Sequence, residues 1–219
     1  MEKNIIQKMI EVGIFTQKDI EEYYDTNIKP KLGPIKPIYS IIEDGVLVEF
    51  DKRDLDSEGK YVTPKGVTII GQNAFNTYSE YLNSIEFTDV VEIQKYAFAR
   101  CYNLKRVYMN DKVRKIGVYA FLCCSNLADI NISSNIQNIE RGTFAGCYKL
   151  EQIELPKNLK RIEFVAFANC ENLTSISNPQ QSLEYVDKDA FSLTPIQHDF
   201  MRKFEENKKL VEQNNGVAK

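Results

Sequence analysis

Four cysteines recur on a fixed beat: Cys101, Cys124, Cys147 and Cys170 stand 23 residues apart. Thiols in a row invite metal ligation or disulfide exchange. The spacing suits neither, because a linear array supplies no tetrahedral cage and no Cys-x-x-Cys pair occurs. Each of these cysteines follows a Phe by three residues and precedes a Leu by three. In such apolar company a free thiol serves as a small hydrophobe, so packing is the expectation. Cys123 falls off the beat and is the thiol expected to be exposed. An odd total of five cysteines argues against a disulfide framework and for a reducing compartment.

Other chemistry is equally thin. Triads, Cys-His dyads and multi-His zinc sites need a placed imidazole, and the single histidine, His198, sits beside Asp199 near the end of the chain. It reads as a surface residue. The acidic turn from Asp54 to Gly59 resembles the start of a calcium loop, but the twelfth position is Lys65, and Pro64 and Tyr61-Val62 contradict the flanking helix. A solvated turn explains it. No Gly-rich phosphate loop is present. The residues therefore nominate no catalytic, cofactor-binding or metal site, and an enzyme is not expected. A net charge of −3 favours neither nucleic acid nor an anionic membrane as partner. No stretch reads as a signal peptide or a membrane span, so the expectation is a cytoplasmic protein without membrane insertion. The alternative is export by a route not readable from the residues.

The cysteines share their period with the rest of the chain. Phe75, Phe98, Phe121, Phe144 and Phe167 are each 23 residues apart, and Phe191 follows after 24. Small residues precede them, and Leu82, Leu104, Leu127, Leu150 and Leu173 follow. Leu127-x-x-Ile130-x-Ile132 has the alternation of a short strand with one face inward, and a second apolar pair such as Ile136 and Ile139 turns the chain before the next Phe. One copy cannot bury these residues alone, so neighbouring copies must stack into a continuous core.

The run Leu159-Lys-Arg-Ile-x-x-x-Ala-Phe-x-x-Cys-x-Asn-Leu173 resembles the BspA-type leucine-rich repeat family, and the likeness extends from about Val67 to Ser192. Departures are modest: Tyr78 stands in the cysteine slot of the first copy and Lys149 in the asparagine slot of the fourth. The resemblance implies an α/β repeat fold, a right-handed leucine-rich-repeat solenoid of five to six 23-residue coils with short parallel strands. It also implies an adhesin-like or effector-like protein that binds other proteins without a cofactor, in a family associated with cell surfaces and virulence.

Around that core the expected division is a helical hairpin over 1–28, a Pro-rich linker over 29–40, an N-terminal β-hairpin cap over 41–66, the solenoid over 67–194, a C-terminal capping helix over 195–213 and a frayed tail over 214–219. The cap is expected to pair Val46–Phe50 with Lys60–Thr63. The apolar face of the last helix is expected to comprise Ile196, Phe200, Phe204 and Val211.

Alternation puts one face of the repeated strands in solvent. Its outward residues include Ser84, Thr88, Asn110 and Ser133, and the candidate partner-binding residues are Glu86, Arg106, Tyr108, Asp129, Asn131, Gln152 and Glu154. Tyr108 beside Arg106 is the most anchor-like pair, since both types are enriched where interfaces bind hardest. A second Tyr-bearing edge carries Tyr96, Tyr102, Tyr119 and Tyr148. The leading expectation is a non-catalytic module that binds a protein partner. The alternative is a structural or assembly scaffold, a homo-oligomer formed through residues 1–25.

Overall fold

The computed structural model describes residues 38–177 and 182–216. The expected helical hairpin and nearly all of the Pro-rich linker lie outside them. Two ladders of strands build a solenoid. The short-strand ladder runs β1 (Ile41–Glu43), β2 (Val46–Glu49), β4 (Ile69–Ile70), β6 (Glu92–Ile93), β8 (Lys115–Ile116), and then β10 (Asn138–Ile139), β12 (Arg161–Ile162), β14 (Tyr185–Val186). The long-strand ladder runs β3 (Lys60–Val62), β5 (Ser84–Glu86), β7 (Arg106–Tyr108), β9 (Asp129–Asn131), and then β11 (Gln152–Glu154), β13 (Ser175–Ser177). From β2 onward every pairing is parallel, most at the 23-residue repeat spacing, as in Arg106↔Asp129 and Gln152↔Ser175, with Lys60↔Ser84, Ser84↔Arg106 and Arg161↔Tyr185 one residue off it.

The recurring Phe holds the coils together. Rings of Phe50, Phe75, Phe98, Phe121, Phe144, Phe167 and Phe191 are fully buried. They stack in one column with successive centroids 4.7, 4.5, 5.0, 5.5, 5.3 and 5.1 Å apart. The cysteine slot serves the same purpose. Cys101, Cys124, Cys147 and Cys170 are buried and free, and the thiols of Cys124, Cys147 and Cys170 donate to the carbonyls of Phe98, Phe121 and Phe144 in the coil before. Cys123 is half-buried. The asparagine slot straps one coil to the previous one: Nδ2 of Asn103, Asn126 and Asn172 donates to the carbonyls of Glu80, Tyr102 and Tyr148, each at 2.7 Å, and Asn83, which follows Leu82 outside that slot, does the same for the Glu58 carbonyl. Such bonds satisfy turn carbonyls that no strand reaches.

The N-terminal cap differs from expectation in its pairing. Val46–Glu49 and Lys60–Val62 are both strands, but they belong to different ladders and do not pair with each other. The hairpin is β1 with β2, turned at Asp44 and Gly45 with φ of 48° and 79°. That is the left-handed conformation two-residue hairpin turns require, and Asp-Gly is its strongest local signature. With β2 and β3 on opposite faces and Phe50 between them in the ring column, this segment is a first coil in its own right.

At the other end α1 spans Gln197–Gly216. Phe200 and Phe204 are buried, and the Phe200 ring lies 4.5 Å from Phe191, closing the column. Val211 stays 55% exposed. The buried face therefore covers only the first turns of α1, a shorter stripe than the periodicity implies.

Candidate functional site

The long-strand face is built by alternation. In each strand the middle residue, such as Ile85, Val107, Ile130 or Ile153, is buried, and its two neighbours point outward. Parallel register then sorts the outward residues into two columns. One holds Lys60, Ser84, Arg106 and Asp129 and is taken up again by Gln152 and Ser175; the other holds Val62, Glu86, Tyr108 and Asn131 and is taken up again by Glu154 and Ser177.

The candidates do not all have the same freedom. Arg106, Asp129, Gln152 and Glu154 are exposed, and no side-chain ion pair engages them among the described residues. Tyr108 is 40% exposed. Glu86 is held by Lys60, whose Nζ lies 2.6 Å from Oε2 and 5.9 Å from the Tyr108 ring centroid. Donating that hydrogen bond to the Glu86 carboxylate raises the Lys60 ammonium above its usual range. Asn131 braces the backbone: its Oδ1 accepts from the Met109 amide at 2.9 Å and its Nδ2 donates to the Met109 carbonyl at 2.6 Å. The array thus gains a cation, Lys60, that sequence reasoning assigned to a hairpin. The alternation Lys60-Tyr61-Val62, with Tyr61 buried, is the signal that places it.

The third outward position fails as a surface site. Ser133 is 1% exposed and its hydroxyl donates to the Val113 carbonyl. Thr88 Oγ1 donates to the Thr63 carbonyl and Asn110 Nδ2 to the Phe87 carbonyl. The chain is already turning toward the short strands here, so these side chains link coils. The tyrosine edge divides likewise. Tyr96 and Tyr119 stack on each other at 5.2 Å, and the Tyr119 ring lies over Gly142, whose φ of 57° and missing side chain make room for it. Tyr102 and Tyr148 are exposed, at 49% and 40%.

A second concavity lies on the short-strand face. It is a cleft of about 480 Å³ lined by polar side chains including Arg114, Lys115, Gln137, Asn138 and Glu140. Burial pushes the Glu140 carboxyl above the usual carboxylate range, with repulsion from Glu163 adding and Lys115 and Arg161 opposing. The remaining chemistry-bearing residues are spoken for. The Asp54 carboxylate accepts from the amides of Tyr39 and Ser40, ahead of β1, at 2.9 and 2.7 Å, and Asp56 Oδ1 from those of Glu58 and Lys60, each at 2.9 Å, so both aspartates spend oxygens on backbone amides. His198 is exposed. Burial raises the ladder thiols well above the usual range, Cys170 to about 12. Nucleophilic thiolates need the opposite shift.

Residues 57–162 and 91–205 match the family model for the BspA type leucine rich repeat region, in six copies. No curated protein matches the chain. Among solved structures, a leucine rich cell surface protein from Faecalibacterium prausnitzii is 29% identical with a TM-score of 0.49, covering 62% of this chain and 45% of that one. A leucine-rich repeat protein from Eubacterium ventriosum is 22% identical with a TM-score of 0.56, over 69% of this chain and 46% of that one. The T. pallidum leucine rich repeat protein is 22% identical with a TM-score of 0.55, over 73% and 87%. The chain spans less than half the length of the first two proteins. The second and third likenesses show a shared fold.

Proposed function

The chain belongs to the BspA-type leucine-rich repeat family, and from that membership we propose that it is a non-catalytic module that presents its long-strand face to a protein partner. The observation that carries the reading is the in-register display of Arg106 and Tyr108 on β7, next to Asp129 on β9, over a fully buried backing of aliphatic residues. Tyr and Arg on a rigid support lose little conformational freedom on binding, which is why such residues anchor interfaces. Gln152 and Glu154 extend the same face.

Binding fits the side-chain inventory better than catalysis does. The one imidazole is exposed, burial favours the protonated ladder thiols, and Asp54 and Asp56 of the acidic turn are engaged with backbone amides. No described helix is long and apolar enough to cross a membrane. Pull-down from the native host with the intact chain identifies the partner. Tyr108→Ala and Arg106→Ala then weaken its capture about tenfold or more each, while the unfolding midpoint is unchanged. Capture that survives both substitutions at full strength, with Glu154→Ala also silent, overturns the assignment of this face.

A further inference from the structure

At one plane across the stack, the bonding between neighbouring coils lapses on both strand faces. β8 does not pair with β10, nor β9 with β11, whereas every other adjacent pair in the two ladders is bonded. The flanking amides repeat the pattern. On the short-strand face the amides of Arg114 and Gly117 donate to Val91 and Ile93, each at 2.8 Å, and beyond the plane those of Lys160 and Glu163 donate to Gln137 and Ile139 at 2.7 and 2.9 Å. Among the described residues, the amides of Gln137 and Glu140 make no such bond to Arg114 or Ile116. On the long-strand face Ala128 donates to Lys105 and Thr174 to Glu151, each at 3.0 Å, but the equivalent bond from Glu151 to Ala128 is absent among the described residues. The widest spacing in the ring column, 5.5 Å between Phe121 and Phe144, falls at the same plane. So does the polar cleft between Arg114 and Gln137.

One slot departs from the repeat at this plane. Asn103, Asn126 and Asn172 strap their coils to the preceding ones, but at this plane the slot holds Lys149, whose exposed side chain makes no such bond among the described residues and whose backbone amide alone reaches across, to the Ser125 carbonyl at 3.2 Å. One edge keeps its bonds: the amides of Tyr119, Phe121 and Cys123 donate to Arg141, Thr143 and Ala145 at 3.0, 2.9 and 2.8 Å. Two faces released and one edge retained is the geometry of a hinge.

We propose that this plane is a built-in joint, about whose Phe-bearing edge the two halves of the solenoid rock. On the reading of the long-strand face as the binding surface, the joint divides it into one panel with Glu86, Arg106, Tyr108, Asp129 and Asn131 and another with Gln152 and Glu154. A partner touching both panels sets the angle between them. The joint is a property of the free chain and stands apart from that reading.

Residue-resolved hydrogen exchange on the intact, partner-free chain tests it. The amides of Gln137, Glu140 and Glu151 exchange about tenfold or more faster than their counterparts Arg114, Gly117 and Thr174. Lys149→Asn restores the strap and slows Glu151 toward Thr174, and Asn126→Lys moves a lapse to the preceding plane, speeding Ala128. Equal protection across all planes overturns the joint, and exchange unaltered in both variants overturns the strap as its cause. If exchange shows the joint but the Tyr108 and Arg106 variants still capture the partner, the binding face is wrong and the joint is not.

Discussion

Replacing Phe144 with alanine isolates what the ring column contributes. The ring is fully buried, 5.5 Å from Phe121 and 5.3 Å from Phe167, and lies within 9° and 18° of parallel to them. Its loss removes an aromatic side chain from water-free surroundings and leaves a void whose walls are held apart along the Phe-bearing edge, where the Phe121 and Phe144 amides bond the Thr143 and Ala166 carbonyls. The cost is about 3–5 kcal/mol, of which the two ring contacts account for about 1–3 kcal/mol. Against a total stability of about 5–15 kcal/mol this is a large fraction. Urea unfolding followed by far-UV circular dichroism reads it as a lowered midpoint, and a reduced slope would show part of the stack melting first, as stacked repeats permit. The decisive comparison is Phe191→Ala. From repeat order alone Phe191 is an end residue and its loss is cheaper. In the structure it sits between Phe167 at 5.1 Å and Phe200 at 4.5 Å, fully buried. It therefore costs as much as Phe144. A loss below about 1 kcal/mol at Phe144, where the long-buried-aromatic range should apply, refutes the shared column, and a much smaller loss at Phe191 refutes closure by α1.

The thiols supply two further predictions. Alkylation of the native protein near neutral pH labels Cys123 and spares Cys101, Cys124, Cys147 and Cys170, because those four are buried and donate to, or pack among, neighbouring coils; mass spectrometry showing rapid labelling of the four removes their packing role. Stability also falls on the alkaline side. The folded state raises the thiol pKa by burial, so it retains protons that the unfolded chain releases. The contribution is fully present below the ordinary thiol value of about 8.5 and is lost as pH rises toward the folded value, about 12 for Cys170, at about 1.4 kcal/mol per pH unit per thiol. Denaturation midpoints that stay flat between pH 8 and pH 11 in urea contradict this sign.

The parts of the molecule that were legible in its residues are those where one physical demand repeats. A Phe, a Cys and a Leu on a common beat can all be buried only by stacking, so the solenoid, its parallel strands and the inert thiols followed. The first coil was less legible because Phe50 precedes Phe75 by 25 residues, the excess being taken up around the 3-10 turn Lys52–Asp54. Val46–Glu49 and Lys60–Val62 alternate like hairpin partners whichever ladder they join, and only Asp44-Gly45 marks the true turn. On the candidate face, alternation placed Arg106, Tyr108, Asp129, Gln152 and Glu154 in solvent correctly. It could not show that Asn131 is spent on the Met109 backbone or that Ser133 turns inward, since both depend on hydrogen bonds to the preceding coil. Lys149 was visible as a departure, but its meaning required knowing that the slot carries a strap.

The antiparallel β1 and the tilted Phe200 ring have a consequence for the company the molecule keeps. A solenoid whose first and last coils were bare would offer a parallel ladder and a flat aromatic ring at each pole, complementary to the opposite pole of an identical chain, and head-to-tail contacts of that kind do not close on themselves. β1 reverses the strand direction at the first edge of the short-strand ladder, and Phe200, inclined 47° to Phe191, breaks the plane of the rings at the far end of the Phe column. Head-to-tail addition is thereby discouraged along the short-strand ladder and along the ring column, two places where a repeat architecture invites it.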